Sequence, residues 1–248
     1  MTRAWLAAAL ALLPMQAAGA ECRRDTFEGV GYSICEVDMA DEDLRLFLKS
    51  QDGETLGSFS RTNAMLADEG AALNFAMNAG MYHSDRRPVG LYVEDGHEEA
   101  GIVTSEGPGN FGLLPNGVLC IREDGADVIE TLRFVREAPT CRDATQSGPM
   151  LVIDGELHPR FLVDSDSLYV RNGVGTNEGG TRAVFAISDA AVNFHTFGRM
   201  FRDHLKLPQA LYFDGNISKL YAPELERSDV GFPMGPIVGT VTRVQPDE

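Results

Sequence analysis

Asp-Gly pairs punctuate the chain, among them Asp95-Gly96, Asp124-Gly125, Asp154-Gly155 and Asp214-Gly215. Asp-Gly tolerates the left-handed backbone that the tightest hairpin turns require. Three pairs follow short apolar runs, at 89–93, 117–121 and 150–153, so each reads as a β-hairpin. A fourth hairpin is expected where the run 182–187 meets Ser188-Asp189, with Val192, Phe194 and Thr196 returning. Two stretches read as helices. Residues 62–77 are rich in good helix formers, although Gly70 weakens the middle. Phe197, Phe201 and Leu205 share a helical face with Met200 and His204 beside it, and Leu207-Pro208 ends it. The charge-free run 210–213 follows at once and reads as a buried central strand. The expected fold class is α+β: one domain with a mixed, mostly antiparallel sheet and a few packed helices.

The first 20 residues carry one early cation, Arg3, then an apolar run, then Ala18-Gly19-Ala20. That is the pattern of a secretory signal peptide. The apolar run is too short to span a bilayer. Glu21 before Cys22 argues against a lipid-anchored cysteine, because it breaks the small-residue pattern. The mature domain is therefore expected over 21–248, in the periplasm or outside the cell. The full chain has net charge −16, and loss of Arg3 with the signal makes it −17. Such a charge repels nucleic acid and anionic membrane surfaces, so neither is expected as a partner. An anionic substrate would need a local cationic site.

Four cysteines remain: Cys22, Cys35, Cys120 and Cys141. None is spaced as a zinc-type pair, and an even count in an exported chain favours disulfides. Three pairings are open; local loop closure favours Cys22–Cys35 and Cys120–Cys141. Several other motifs are set aside. Gly107 to Gly112 matches GxGxxG, but Leu113-Leu114-Pro115 follows where a dinucleotide site needs a helix. The match says only that backbones come close near Asn110. The histidines lack metal-ligand spacing, and Asp164-Ser165-Asp166 lacks the third ligand and glycine of a calcium loop. No cofactor and no metal is expected. Ser147 has no GxSxG elbow around it.

Five segments set polar side chains among glycines: 78–82, 109–112, 146–149, 171–175 and 214–216. Each taken alone reads as an Asx-capped turn. Polar groups flanked by glycine and apolar residues are also the usual lining of a ligand site.

The motifs NAGMY, GNFGLLPNG, QSGPMLVIDG, RNGVG, TRAVFAIS and LYFDGNIS occur in that order between Leu73 and Tyr221. This series resembles the phosphodiester glycosidase family, which includes the lysosomal uncovering enzyme and many exported bacterial proteins. The chain departs from the better-studied branch at Ala79, where a glycine is usual, and at Asn216, where a second glycine follows Asp-Gly. The resemblance implies hydrolysis of the bond between a sugar's anomeric carbon and a phosphodiester. It assigns catalysis to Asp214, Arg171 and Ser147. Asp214 would act at the anomeric carbon, and arginine's planar fork suits phosphate, with Arg171 and Arg182 as candidates. Asn78, Gly80, Tyr82, Asn110, Phe111, Gln146, Arg182, Gly215 and Ser218 would form the carbohydrate or glycosyl-phosphate site. Glu178 is weighed as a second carboxylate, with a surface turn the better reading. Two rivals stand beside this: a non-catalytic glycan or phosphosugar-binding module, and an exopolysaccharide-degrading enzyme whose substrate carries no phosphate.

Overall fold

A computed structural model describes residues 20–244; the expected signal peptide lies outside the described residues apart from Ala20. In chain order the elements are β1 (Glu21–Phe27), β2 (Val30–Asp38), β3 (Asp43–Phe47), α1 (Phe59–Asp68), β4 (Ala71–Asn78), β5 (Tyr92–Glu94), β6 (His97–Ala100), β7 (Gly117–Ile121) and β8 (Ala126–Glu130). There follow α2 (Thr131–Glu137), β9 (Asp143–Ser147), β10 (Met150–Ile153), β11 (Glu156–Leu157), β12 (Asn172–Thr176), β13 (Arg182–Ser188), α3 (Phe194–Arg199), β14 (Gln209–Asp214), β15 (Leu220–Ala222), β16 (Arg227–Ser228) and β17 (Ile237–Arg243).

The strands form three sheets, ordered β1-β2-β13-β12-β14-β10-β11, β16-β15-β4-β17-β3 and β6-β5-β9-β7-β8. The α+β class holds. Every strand pairing among the described residues is antiparallel, so the sheets are purer than the mixed sheet expected. One core joins all three sheets through Phe185, Phe213, Phe75, Met77, Leu119 and Ile121. A second core lies between the other face of the large sheet and α3, with Ile34, Leu151, Tyr212, Phe197 and Phe201. The large sheet is thus covered on both faces. That is why β14 carries no charge until its last residue: Leu211 and Phe213 enter one core, Ala210 and Tyr212 the other.

The three expected Asp-Gly hairpins form, as β5–β6, β7–β8 and β10–β11. Asp95-Gly96 and Asp154-Gly155 take the left-handed backbone at both residues, as does Glu28-Gly29 between β1 and β2. Asp214-Gly215 does not, and so is not a hairpin tip of this kind.

Two expectations are corrected. The helix expected over 62–77 spans Phe59–Asp68 instead, capped by the Ser58 hydroxyl. Gly70 at φ +68° ends it, and β4 begins one residue later. Leu73, Phe75 and Met77 bury at alternate positions, and strand periodicity overrides the helix propensity of the alanines. The fourth hairpin is replaced by a helix. Asn193 caps Thr196 N at 2.9 Å, so Phe194 and Thr196 belong to α3 rather than to a return strand. A π-helical turn, Met200–His204, continues α3 and carries Phe201 into the core.

Disulfides join Cys22 to Cys35 and Cys120 to Cys141. No helix among the described residues is long and apolar enough to cross a membrane.

Candidate active site

The end of β4, the start of β12 and the end of β14 meet, and two buried asparagines tie them. Asn78 and Asn172 exchange side-chain hydrogen bonds, with Nδ2 of Asn172 at 2.9 Å from Oδ1 of Asn78 and the reverse contact at 3.3 Å. Oδ1 of Asn172 also accepts the backbone N–H of Asp214 at 3.2 Å, and Oδ1 of Asn78 accepts that of Lys219 at 2.9 Å. The ladder between β12 and β14 shifts here: Asn172 faces Asp214 while Gly173 faces Tyr212, leaving Phe213 as the extra residue of a bulge. Bulges re-aim the side chains that follow them. Ser147 and Ser218 secure the same strand end. The Ser147 hydroxyl donates to Phe213 O at 2.8 Å, and that of Ser218 lies 2.8 Å from Asp214 O and 2.9 Å from Val170 O.

Asp214 is held at this end with 9% of its surface exposed. Its Oδ1 accepts the N–H of Asn216 at 2.9 Å. Burial raises its pKa above the usual carboxylate value, and the backbone N–H groups of Asn216, Gly215 and Ile217 pull the other way. Gly215 is required by close approach. A Cβ there would stand 2.1 Å from the Tyr212 hydroxyl.

Asp214 forms the floor of a cleft of about 710 Å³, a size suited to a small ligand. Four segments line it: 81–89, 108–111, 167–169 and 212–217. Of the expected site residues, Tyr82, Asn110, Phe111, Asp214 and Gly215 line this cleft. Asn78, Ser147 and Ser218 sit behind it as the scaffold just described, and Gly80 packs against Thr145 at the exit of β4.

Gln146, Arg182, Arg171 and the weighed Glu178 are placed elsewhere. Gln146 is buried, and its amide binds the backbone of Leu91 and Val103 and the Thr131 hydroxyl, which leaves nothing for a sugar. Arg182 begins β13 at the far end of the sheet, opposite Asp38, and pairs with Glu36 at 3.0 Å. Glu178 is exposed beyond that same far end. Arg171 is fully buried beneath the cleft. Nε and Nη2 donate to Val192 O and Ser167 O, each at 2.8 Å, and the guanidinium stacks 3.6 Å over Phe194. Its Nη1 has no partner among the described residues, but the guanidinium is buried and does not line the cleft, so it does not present the fork proposed for phosphate. Its field and stacking hold Tyr169 and Tyr212 in place.

Residues not singled out from the sequence complete the cleft: Tyr169, Tyr212, His83 and Arg86. Tyr212 was within reach, since residues two apart on a strand tend to share a face. Arg86 sits in a turn with no motif around it. Asn172 lies within RNGVG, and locally it looks like any turn-capping asparagine.

A second cleft of about 500 Å³ is lined by Arg45, Lys49, Glu94, Arg142 and Asp143, among others. Its ionic groups satisfy one another: Arg45 with Asp43, Arg142 with Asp143 and Lys49 with Glu99. None of the glycine-flanked motif residues lines it.

An antiparallel α+β scaffold with a buried carboxylate at the floor of an aromatic, hydroxyl- and amide-bearing cleft defines a carbohydrate-type site. Residues 71–231 match the model of the phosphodiester glycosidase family, and the chain belongs to that family. It is 33% identical over 215 residues to the uncharacterized protein YigE of Escherichia coli, covering 86% of this chain and 83% of that one. In fold it is similar to the zebrafish N-acetylglucosamine-1-phosphodiester alpha-N-acetylglucosaminidase catalytic domain, auto-inhibited by its pro-peptide. That match has TM-score 0.59 and 13% identity, over 89% of this chain and 81% of that one. A putative exported protein from Burkholderia pseudomallei matches with TM-score 0.56 and 10% identity, over 85% and 74% of the two chains. Family membership supports a glycosidase-type hydrolase, and the two disulfides fit an exported protein.

Proposed function

We propose that this protein is an exported hydrolase that cleaves the bond between a sugar's anomeric carbon and a phosphodiester oxygen, with Asp214 as the reacting carboxylate. The observation that carries the reading is Asp214 itself. It is the one carboxylate lining the cleft among the described residues. The leaving phosphomonoester is a weak base, so the reaction needs less acid assistance than ordinary glycoside hydrolysis. What it needs is a base or nucleophile at the anomeric carbon. In one course Asp214 takes a proton from water as the water oxygen bonds to that carbon and the bond to phosphate breaks. In the other, Asp214 bonds to the carbon first and water then hydrolyses the glycosyl-enzyme. Both require the ionised carboxylate. Tyr82, Phe111 and Tyr169 supply faces and hydroxyls for the sugar, Tyr212 underlies them, and Asn110 supplies an amide.

The test is turnover of a panel of glycosyl 1-phosphodiesters by the full chain and by Asp214→Asn. Loss of a general base typically costs about 10²–10⁴-fold. The variant should lose that much and melt no lower than wild type, because burial disfavours the charge that it removes. In wild type, kcat/KM should fall as pH drops through the raised pKa of Asp214. Wild-type rates in Asp214→Asn would overturn the assignment. Tight binding without turnover across the panel would favour a binding module instead.

A further inference from the structure

Neither Arg171, which is buried, nor Arg182, at the far end of the sheet, reaches the cleft to bind phosphate. A cation for that role is nevertheless present. Segment 83–87 makes a tight turn, with His83 N donating to Arg87 O and Arg86 N to His83 O, both at 2.8 Å. The turn separates two adjacent arginines. Arg87 is neutralised by Asp85, Nε to Oδ2 at 2.7 Å, and points away from the cleft lining. Arg86 lines the cleft and has no carboxylate partner among the described residues. Its guanidinium lies 5.2 Å from the centre of the Tyr82 ring. Such stacking occupies the flat face of the fork and leaves its N–H edges free for an oxyanion.

The backbone is strained to put it there. Arg86 has φ +71°, a left-handed conformation that disfavours a non-glycine residue. The Tyr82 hydroxyl feels both charges: after burial, Asp214 raises its pKa and Arg86 lowers it. A protein of net charge −16 repels an anionic substrate at long range, so a local unpaired cation is what recognition requires.

We propose that Arg86, resting on Tyr82, is the residue that recognises the phosphate of the substrate and so sets specificity for glycosyl phosphodiesters over neutral glycosides. This rests on the proposed hydrolase function. It also orients the substrate, with phosphate toward the 83–87 turn and the anomeric carbon at Asp214. The charge on the phosphate grows as the bond to the sugar breaks, so Arg86 acts on both binding and the transition state.

The experiment compares kcat/KM for a glycosyl phosphodiester and for the neutral aryl glycoside of the same sugar, in wild type, Arg86→Gln, Arg86→Lys and Arg86→Gly. Glycine takes φ +71° without strain, so Arg86→Gly controls for folding and should melt at or above wild type. In Arg86→Gln and Arg86→Gly the phosphodiester rate should fall about 10²-fold, as expected for loss of a charge-assisted pair. The ratio of phosphodiester to neutral kcat/KM should fall at least tenfold, and Arg86→Lys should recover part of it. A ratio within threefold of wild type in both variants would overturn the proposal while leaving the hydrolase reading intact. If wild type turns over neither substrate, the hydrolase reading fails, and calorimetric titration with the sugar 1-phosphate decides. Binding weakened at least tenfold by Arg86→Gln upholds the anion role. Equal binding, or no binding by wild type, refutes it.

Discussion

Gly215→Ala tests whether Tyr212 and Asp214 form one rigid unit. A Cβ at this position falls 2.1 Å from the Tyr212 hydroxyl and 3.4 Å from Tyr169 Cβ. An ordinary carbon–oxygen contact needs roughly 3.3 Å, so something must move by about 1 Å. The Tyr212 ring has little freedom. It is fully buried, meets Phe194 edge-on at 4.8 Å and lies under the Arg171 guanidinium at 5.3 Å. Overpacking of this kind costs about 1–3 kcal/mol. In a domain of this size that is a drop in Tm of roughly 2–10 °C. If the strain is instead relieved by the 214–216 turn, Asp214 is displaced, and a shift of about 1 Å costs about 10²-fold in rate. The assay is thermal unfolding and phosphodiester turnover, with a rescue. The Tyr212 hydroxyl is buried without a hydrogen-bond partner among the described residues, so Tyr212→Phe alone should leave Tm near wild type. Combined with Gly215→Ala it should restore most of the lost stability, a coupling that the double-mutant cycle reads directly. Gly215→Ala with wild-type Tm and rate, or a double variant no better than Gly215→Ala alone, would refute the reasoning.

Glu94 is pushed up to about 7, chiefly by burial and then by the nearby Asp143 charge, against hydrogen bonds from Tyr92 and Leu48. Its folded value lies above its unfolded one, so its contribution to stability is complete below about pH 4.3 and is lost as pH rises through 7. Urea unfolding should show Glu94→Gln gaining about 1–2 kcal/mol over wild type at pH 8, after discounting for partial exposure, and little at pH 5. The same gain at both pH values would contradict this. The Cys120–Cys141 bond spans a sequence separation of 21, and replacing both cysteines by serine should cost about 3 kcal/mol in chain entropy. Removing Cys22–Cys35 should cost less in thermal unfolding, because its residues already face each other in the β1–β2 ladder and its loop spans only 13.

Local chemistry alone determined a good part of this protein. The Asp-Gly hairpins follow from backbone preference, which is a property of two residues and needs no distant partner. The charge-free run 210–213 announced a strand covered on both faces, and so placed Asp214 beside the core. The ordered motifs indicated the family. The error at 62–77 was also local: alanine-rich composition suits a helix, but Gly70 divides the segment and the alternate burial of Leu73, Phe75 and Met77 belongs to a sheet.

Only the tertiary structure decided which polar groups face the cleft. Arg171 and Gln146 sit in glycine-flanked segments that look ready for a ligand, yet Nε and Nη2 of Arg171 are taken by Val192 and Ser167, and the Gln146 amide by Leu91 and Val103. Asn78 and Asn172 find each other across 94 residues, a pairing that no local pattern encodes. Arg86 has the reverse history. Nothing in its neighbourhood marks it, and it stands free in the cleft because Asp85 is held by Arg87. Direction and availability of a side chain are set by bulges, by strained turns and by the prior claims of buried carbonyls and carboxylates. Those are properties of the folded chain, and they are the reason Asp214-Gly215 is a site floor rather than a hairpin tip.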